Sequence, residues 1–244
     1  MAGIKKHDFI EIDYTGKMKD NGSVFDTTII EVAKANNLPV ENAEFGSRNI
    51  CVGENQMLRG LEAALIGKEP GKYTINLAAS DAFGKKDAKL LKLIPLKVFT
   101  REKIMPVPGL QVNIDGVNGT IRTAAGGRTL VDFNHPLAGK DIIYEVEIKR
   151  ILEDKKDKLI VLMQMVQLLK KDYEISMDDN KAKVTLRKAL HENSQVNAAL
   201  LKQLTEKAKQ LTGFADIEFV MEERKAEETP IVEKKARSNT QKTK

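Results

Sequence analysis

The sequence predicts an α+β fold in which an antiparallel sheet wraps around one helix. Three observations support this prediction: apolar side chains alternate with polar ones near the N-terminus, the pair Asn21-Gly22 follows that run, and one apolar stripe with helical spacing lies between two strand-like segments. A β-rich insert and a C-terminal α/β unit complete the predicted architecture.

The opening residues predict a β-hairpin. Ile10, Ile12 and Tyr14 alternate with acidic residues, which is the period of a half-buried strand. The pair Asn21-Gly22 favours the positive φ angles of a tight turn, and a return strand follows from Val24.

The region after the hairpin predicts a short helix and a further strand. Thr28 is expected to cap the helix, and Pro39 prevents it from continuing far. A second strand-like region surrounds Ile50, and Gly53 ends it.

A single longer helix then lies between two strands. Apolar residues recur at helical spacing until Gly67, which is expected to end the helix; they are Met57, Leu58, Leu61, Ala64 and Leu65. After a turn at 69–71, Tyr73, Ile75 and Leu77 alternate and predict the next strand.

The second half of the chain divides into four predicted segments. Residues 85–133 contain prolines and short alternating runs, which predict a small β-rich insert with a turn at 115–119. Residues 142–148 are rich in β-branched side chains and predict a strand buried on both faces. Residues 155–221 predict a separate α/β unit, and residues 222–244, which are almost all charged or polar, predict a disordered basic tail.

The composition is that of a globular protein, and we expect no cofactor. Of the 244 residues, 41% are hydrophobic and 31% are charged. Cys51 is the single cysteine, which excludes an intrachain disulfide and is compatible with a reducing compartment. His7, His135 and His191 lie far apart in the sequence and lack ligand spacing, so we expect no metal site.

The distribution of apolar and charged residues indicates a cytoplasmic protein. No apolar run approaches the roughly 18 residues of a membrane span, and the first residues lack a signal-peptide apolar region. The formal net charge of +5 is weak evidence for nucleic acid, because a basic face rather than a net sum indicates such binding. We expect no membrane contact and consider nucleic acid an improbable partner, with RNA binding by the basic tail as a minor alternative.

Four segments occur in an order that resembles the FKBP-type peptidyl-prolyl isomerases. They are Asp-Tyr-Thr-Gly at 13–16, Gly-Ser-Val-Phe-Asp at 22–26, Val-Gly-Glu-Asn-Gln-Met-Leu-Arg-Gly-Leu-Glu at 52–62, and Asp-Ala-Phe-Gly at 81–84. A fifth segment, Asn-His-Pro-Leu-Ala-Gly-Lys at 134–140, is similar to the motif with which SlyD-like and long archaeal members return from a domain inserted in the flap.

This resemblance implies a domain organisation. Residues 1–84 and 134–152 would form the isomerase domain, and 85–133 would form an insert-in-flap domain that binds unfolded chains as a chaperone. Residues 155–221 match what the longest archaeal members append, but no motif assigns them a role. The expected partners are unfolded or nascent polypeptides that contain X-Pro bonds.

The resemblance also implies a site that needs no nucleophile, metal or proton shuttle. Rotation about a peptide bond faces a barrier of about 18–20 kcal/mol, and the twisted transition state is less polar than the planar amide, so a dry apolar pocket favours it. By motif position, the catalytic residues would be Tyr14, Phe25, Asp26, Met57, Leu58, Leu61, Phe83 and Tyr144. Asp26 would accept a hydrogen bond from Tyr14 or direct its charge toward the amide, and the Leu58 N–H would hold the substrate carbonyl.

Four positions depart from the family pattern, and two of them, Arg48 and Asn49, are polar where the family tends to use an aromatic or apolar residue. Leu61 stands where family members commonly have tryptophan, which makes the expected pocket floor smaller. Phe83 replaces the usual tyrosine and lacks a hydroxyl donor. The alternative function is therefore a non-catalytic holdase chaperone whose isomerase pocket has decayed.

Further residues are expected to contact substrate chains. They are Ile50 beside the pocket and, in the insert, Leu93, Ile94, Leu96, Val98, Phe99, Ile104 and Met105. The alternative is that the insert residues only form a small core of their own. Leu162, Met163 and Met165 predict a buried helix face, with an adaptable binding groove or homodimerisation through the C-terminal domain as alternatives.

Overall fold

The computed structural model describes residues 3–41, 43–178, 180–187 and 198–222. The chain divides into two compact units: the first comprises Met1–Gln167 and Gln210–Gly213, and the second comprises Leu168–Lys209 and Phe214–Lys244. The basic tail that the sequence predicts lies, from residue 223 onward, outside the described residues.

The described part of the first unit carries two antiparallel sheets and short helices. The elements are β1 (Phe9–Met18), β2 (Val24–Thr27), α1 (Ile30–Ala35), β3 (Arg48–Cys51), α2 (Arg59–Leu65), β4 (Gly71–Leu77), β5 (Leu91–Pro95), α3 (Leu96–Arg101), β6 (Gln111–Ile114), β7 (Val117–Ala125), β8 (Arg128–Asp132), β9 (Ile142–Ile151) and α4 (Lys155–Met165). The predicted combination of antiparallel sheets with few helices is confirmed.

The main sheet has the strand order β2-β1-β9-β4, and β3 pairs with β1. All its pairings are antiparallel, and Tyr14 of β1 lies opposite Val146 of β9, which in turn lies opposite Tyr73 of β4. One face of this sheet packs against helix α2, whose side chains Leu61 and Leu65 are fully buried in the same core. The main core therefore lies between the sheet and this helix.

Strand β9 is buried on one face, not on both as its composition predicts. Tyr144, Val146 and Ile148 are buried, whereas Glu145 is exposed and Ile143 is only partly buried. Because α2 covers one face of the sheet, the side chains that point the other way remain accessible to water.

Thr28 does not cap helix α1. Ile29 occupies the N-cap position and makes no side-chain cap hydrogen bond. The Thr28 hydroxyl instead accepts the Tyr14 N–H at 2.9 Å and donates to Asp13 Oδ1 at 3.3 Å. Thr28 thus ties the segment after β2 to strand β1.

The second sheet has the order β5-β8-β7-β6 and lies in the predicted insert region. Its core contains Val112, Ile121 and Val131 from the strands and Phe99 from α3. The predicted turn at 115–119 is shorter in the structure, since β6 ends at Ile114 and β7 begins at Val117.

The two chain connections between the sheets are joined by Asp132 and Asn134. The Asp132 carboxylate is 2% exposed and accepts hydrogen bonds from Lys86 Nζ, from the Arg122 guanidinium and from the backbone and side chain of Asn134. Burial raises the pKa of Asp132, but these hydrogen bonds outweigh burial and hold the pKa well below its usual range. Asn134 also exchanges two hydrogen bonds with the backbone of Asp87, at 2.8 and 3.0 Å.

The second unit contains a three-stranded sheet of order β10-β11-β12. Its elements include β10 (Tyr173–Asp178), β11 (Lys181–Leu186), β12 (Asp216–Met221) and α5 (Ala198–Thr212) up to Lys209. Strands β10 and β11 are antiparallel, whereas β11 and β12 are parallel, which requires a crossover connection between them.

Helix α4 carries the methionine-rich segment. Leu162 and Met163 are 1% and 0% exposed, and Met165 is partly buried. The predicted buried helix face is therefore correct, and these side chains do not form an open groove. Among the described residues, no helix is long and apolar enough to span a membrane.

Candidate active site

The residues that the motif order selects lie around one core cluster. Tyr14, Leu61 and Tyr144 belong to the buried core of the main sheet, and the partly buried side chains packed against that core include Phe25, Met57, Leu58 and Phe83. They come from β1, β2, the loop before α2, α2 itself, the segment after β4, and β9. The fold therefore brings together side chains that are up to 130 positions apart, the separation of Tyr14 and Tyr144.

Four aromatic rings, which we call the aromatic cluster, form a continuous row. The ring centroids of Tyr14 and Tyr144 are 5.7 Å apart, those of Tyr144 and Phe25 are 5.9 Å apart, and those of Phe25 and Phe83 are also 5.9 Å apart. All three contacts are edge to face, the arrangement that the quadrupoles of aromatic rings favour.

Gly16 is required for this row. A Cβ atom at Gly16 would lie 2.7 Å from Phe25 Cζ and 3.1 Å from Tyr144 Cε1. The missing side chain lets the Phe25 ring lie directly against strand β1. The motif contains Gly16, but the sequence alone did not identify this packing role.

Asp26 lies at the edge of the aromatic cluster, beside Tyr14. Burial raises the pKa of Tyr14 to about 12, and the negative charge and accepted hydrogen bond of Asp26 act in the same direction. Burial also raises the pKa of Tyr144, with smaller contributions from Asp26 and Tyr14. Both phenols are therefore neutral near pH 7.

A buried carboxylate fixes the loop that carries Met57 and Leu58. Glu62, which is 4% exposed, accepts the backbone N–H groups of Met57 and Gly53 at 2.8 Å and of Asn55 at 3.2 Å. Helix α2 consequently begins at Arg59, after the two residues that periodicity assigned to it. Glu62 is not among the residues that the sequence motifs predict for the site; its signal in the sequence is an acidic residue directly after apolar Leu61.

The Leu58 N–H is available to a ligand. Within the described ranges of the chain, this group has no hydrogen-bond partner, while the Leu58 carbonyl accepts the N–H of Glu62 at 3.0 Å. Gly60 permits the close approach of the helix to the segment that leads to Phe83, since a Cβ there would lie 2.4 Å from the Asp81 carbonyl oxygen.

His135 is a second residue that the sequence analysis left without a role. Its ring stacks on Phe83 with a centroid distance of 4.5 Å and an interplanar angle of 3°. The Leu137 N–H donates to His135 Nδ1 at 3.2 Å, which fixes the imidazole over Phe83. The signal was the histidine within the return motif at 134–140.

The residues predicted to contact substrate differ in how far their side chains are exposed to solvent. Ile50 is 3% exposed and forms part of the main core, beneath the surface. Phe99 is 1% exposed and belongs to the core of the insert sheet, so its prediction as a surface contact is wrong. Its burial follows from helix α3, which points Phe99 inward at the sheet.

The remaining insert candidates differ in the same way. Ile94, Val98 and Ile104 are partly buried against the insert core. Leu96 is partly buried, whereas Leu93 and Met105 are 61% and 82% exposed. Among the predicted contact residues, Leu93 and Met105 are therefore the exposed ones.

The described residues contain no group of three or more His, Cys, Asp or Glu side chains that could hold a metal ion. What the site offers instead is a row of apolar rings, an N–H donor and a carboxylate at the edge. The fold and site define an antiparallel α+β protein in which buried and partly buried apolar side chains, a backbone N–H group and a carboxylate lie around one core cluster.

Comparison with known proteins identifies the family. The chain is 30% identical over 149 residues to the short-type peptidyl-prolyl cis-trans isomerase of Methanocaldococcus jannaschii. The alignment covers 61% of this chain and 94% of that protein. It is 35% identical over 103 residues to a probable FKBP-type 16 kDa peptidyl-prolyl cis-trans isomerase of Pseudomonas fluorescens, with coverage of 40% and 67%. The chain belongs to the FKBP-type peptidyl-prolyl isomerase family.

Two further similarities concern parts of the chain. It is 33% identical over 116 residues to the FKBP-type peptidyl-prolyl cis-trans isomerase SlyD of Escherichia coli K12. This alignment covers 44% of this chain and 57% of SlyD. Residues 92–137 match the family model described as "FKBP26, IF domain". A solved structure, the N-terminal domain of FKBP42 from Arabidopsis thaliana, aligns over 62% of this chain and 78% of that chain at 14% identity, with a TM-score of 0.34, which is too low to define the fold.

Proposed function

We propose that this chain accelerates the cis–trans isomerisation of X-Pro peptide bonds at the aromatic cluster and assists folding through its insert. The observation that carries the isomerase proposal is the row of edge-to-face rings from Tyr14 to Phe83, together with the N–H of Leu58, which has no hydrogen-bond partner among the described residues. Membership of the FKBP-type family supports the same activity, because the relatives named above are peptidyl-prolyl cis-trans isomerases.

The proposed reaction depends on the polarity of the site. Rotation destroys amide resonance, which accounts for the barrier of about 18–20 kcal/mol, and the twisted amide carries less charge separation than the planar one. An apolar site penalises the planar amide more than the twisted one. A preference of about 4 kcal/mol for the twisted form would accelerate rotation about a thousandfold.

Each polar group has a positioning role in this proposal. The proline ring packs against Phe25 and Tyr144, and the Leu58 N–H donates to a substrate carbonyl so that one side of the bond is held while the other rotates. Asp26 fixes the Tyr14 hydroxyl and directs negative charge toward the rotating amide. No proton is transferred, and no covalent bond is made or broken.

The alternative function is a non-catalytic holdase. Phe83 lacks a hydroxyl donor and Leu61 lacks the area of an indole ring, and both features favour binding without turnover. Leu61 is nevertheless fully buried within the core, so the floor beneath the rings is filled. The relatives named as peptidyl-prolyl cis-trans isomerases favour the isomerase over the holdase.

The isomerase proposal is tested with a short prolyl peptide in a protease-coupled assay. The full chain should accelerate isomerisation above the uncatalysed rate, and Asp26→Ala should lower kcat/KM about tenfold with a much smaller loss of stability. Asp20→Ala, which removes an exposed carboxylate from the β1–β2 turn, is the matched control. A rate equal to the uncatalysed one would leave only the holdase, and full turnover by Asp26→Ala would refute the assigned site.

The folding role of the insert is proposed from its exposed apolar side chains and from its match to an IF domain family. Leu93→Ser combined with Met105→Ser should lower the refolding yield of an unfolded client protein but leave turnover of a short peptide unchanged. Val117→Ser, an exposed apolar residue on the β6–β7 hairpin, serves as the control. Equal losses in both assays would contradict a division of labour between the two sites.

The proposed partners are unfolded or nascent polypeptides in the cytoplasm. Homodimerisation through the predicted C-terminal domain is a further proposal, and Leu162 and Met163 of α4, which belongs to the first unit, would not form its surface because they are buried within the chain. Analytical ultracentrifugation across a range of protein concentrations tests the oligomeric state directly.

A further inference from the structure

A pocket separate from the aromatic cluster opens in the insert. It has a volume of about 520 Å³ and lies between helix α3, the loop that follows it, and the β7–β8 turn. Leu96, Ile104, Met105 and Pro106 give it an apolar wall, and the cations Lys103 and Arg128 also line it. We call this the insert pocket.

The β7–β8 turn leaves the opposite wall open. Gly126 and Gly127 both have positive φ, at 57° and 75°, and Ala124 and Ala125 precede them, so no large side chain fills the space. The Leu96 N–H donates to the Gly127 carbonyl at 2.9 Å, which fixes the start of α3 to this turn. The insert pocket is therefore an open groove with accessible backbone on one side.

The charge around the insert pocket is positive. Its lining includes Lys103 and Arg128 and no carboxylate, and neither cation makes an ion pair with any residue that the structure describes. Residues 85–133 contain nine lysines and arginines and four acidic residues, a net charge of +5. Because the whole chain also has a net charge of +5, the basic and acidic residues outside residues 85–133 are equal in number.

One of the insert's four carboxylates is already neutralised. Asp132 is buried and pairs with Lys86 at 3.2 Å and Arg122 at 2.8 Å. Lys103 and Arg128 remain exposed at the insert pocket, so a ligand that carries negative charge next to an apolar group complements both features of the site.

We propose that the insert pocket selects polypeptide segments in which a large apolar side chain is flanked by aspartate or glutamate. The proposal rests on the chaperone role proposed for the insert and defines which clients it prefers. The apolar side chain packs against Leu96 and Ile104, and the flanking carboxylates lie next to Lys103 and Arg128. The pocket lining contains no aromatic ring on which a nucleobase could stack, which favours a peptide over single-stranded RNA.

Binding of labelled proline-free peptides to the full chain tests the proposal. Three peptides share one apolar core and carry acidic, neutral serine or basic flanks, and their dissociation constants are measured by fluorescence anisotropy. Two exposed ion pairs predict about tenfold tighter binding of the acidic peptide than of the serine peptide. This advantage should shrink as the salt concentration rises from about 50 mM to about 500 mM, since the charges are accessible to screening.

Charge-reversal variants assign the preference to the pocket. Lys103→Glu combined with Arg128→Glu should invert the ranking of the acidic and basic peptides. Lys97→Glu combined with Arg101→Glu makes the same change in net charge on exposed α3 residues outside the pocket lining, and it should preserve the ranking. Hydrogen exchange of the insert amides verifies that the insert of each variant is folded. Lys103→Gln combined with Arg128→Gln, which should abolish the ranking, replaces a reversal variant that does not fold.

The outcomes separate this inference from the function on which it rests. If all three peptides bind with equal affinity, the charge preference is refuted while the chaperone role stands. If none binds, the chaperone role of the insert fails as well. Equal effects of the two charge reversals, or tighter binding of a single-stranded RNA oligonucleotide that displaces the acidic peptide, would also overturn the assignment.

Discussion

Replacement of Glu62 by glutamine tests whether this buried side chain positions the loop of the proposed active site. The two carboxylate oxygens accept three backbone N–H groups: Oε1 accepts that of Met57, and Oε2 accepts those of Gly53 and Asn55. Glutamine has only one acceptor oxygen. Its amide group must therefore face at least one of these N–H donors.

The expected loss of stability follows from this count. The glutamine oxygen fits best on the Oε2 side, where two N–H groups converge, and the amide group then faces the Met57 N–H. Loss of one hydrogen bond to a charged acceptor should lower the free energy of unfolding by about 2 kcal/mol. Glu62→Ala leaves three N–H groups without an acceptor and should cost about 4 kcal/mol.

Turnover should fall together with loop order. The Leu58 N–H directly follows the loop, so its displacement in Glu62→Gln should lower kcat/KM for a short prolyl peptide about tenfold, equivalent to about 1.4 kcal/mol. Urea unfolding measures stability, a protease-coupled assay measures turnover, and Glu41→Gln at an exposed position is the control. A Glu62→Gln variant that loses stability but keeps full turnover would refute the link between this carboxylate and the site.

Two further predictions concern other buried contacts. The lowered pKa of Asp132 stabilises the insert at pH values above its unfolded pKa of about 3.9, and this stabilisation is lost as the pH falls toward the folded pKa. Asp132→Asn should remove this acid dependence and lower the free energy of unfolding at pH 7 by about 2 kcal/mol. Asp115→Asn, on an exposed turn, is the control and should change neither quantity. Hydrogen exchange of the insert amides measures both effects. Gly16→Ala should displace the Phe25 ring and lower kcat/KM about tenfold, with a changed near-UV circular dichroism spectrum; unchanged turnover would show that this ring is not part of the site.

The sequence predicts the elements of the main sheet because each has a clear local signal. The alternation at Ile10, Ile12 and Tyr14, the Asn21-Gly22 turn and the stripe through Leu61 all correspond to elements of the structure. The motif order adds the prediction that distant residues share one site. The structure does place Tyr14, Phe25 and Tyr144 in contact.

The errors arise where a long-range contact overrides the local pattern. Strand β9 has the composition of a strand that is buried on both faces, but the packing of α2 against the sheet determines which face is covered. The apolar stripe extends back to Met57, but Glu62 binds the N–H groups of the preceding loop and the helix begins later. Phe99 lies on a helix of six residues, too short to show a reliable period, so its inward direction could not be recognised.

The spacing of residues in the sequence also does not predict contacts between distant polar side chains. Asp132 and Lys86 are 46 positions apart, and nothing in either segment indicates that they meet. The stacking of His135 on Phe83 depends in the same way on how the chain returns to the main sheet.

The hydrogen bonds between Asn134 and Asp87 have a consequence for the evolution and engineering of this chain. They bring the outgoing and incoming segments of residues 85–133 side by side, with 2.8 Å between the Asp87 nitrogen and Asn134 Oδ1. An inserted domain whose two ends are neighbours can be exchanged for another of different length without separating the strands to which it is attached. A segment of different length could therefore replace residues 85–133 at this junction while the strands of the main sheet stay in place.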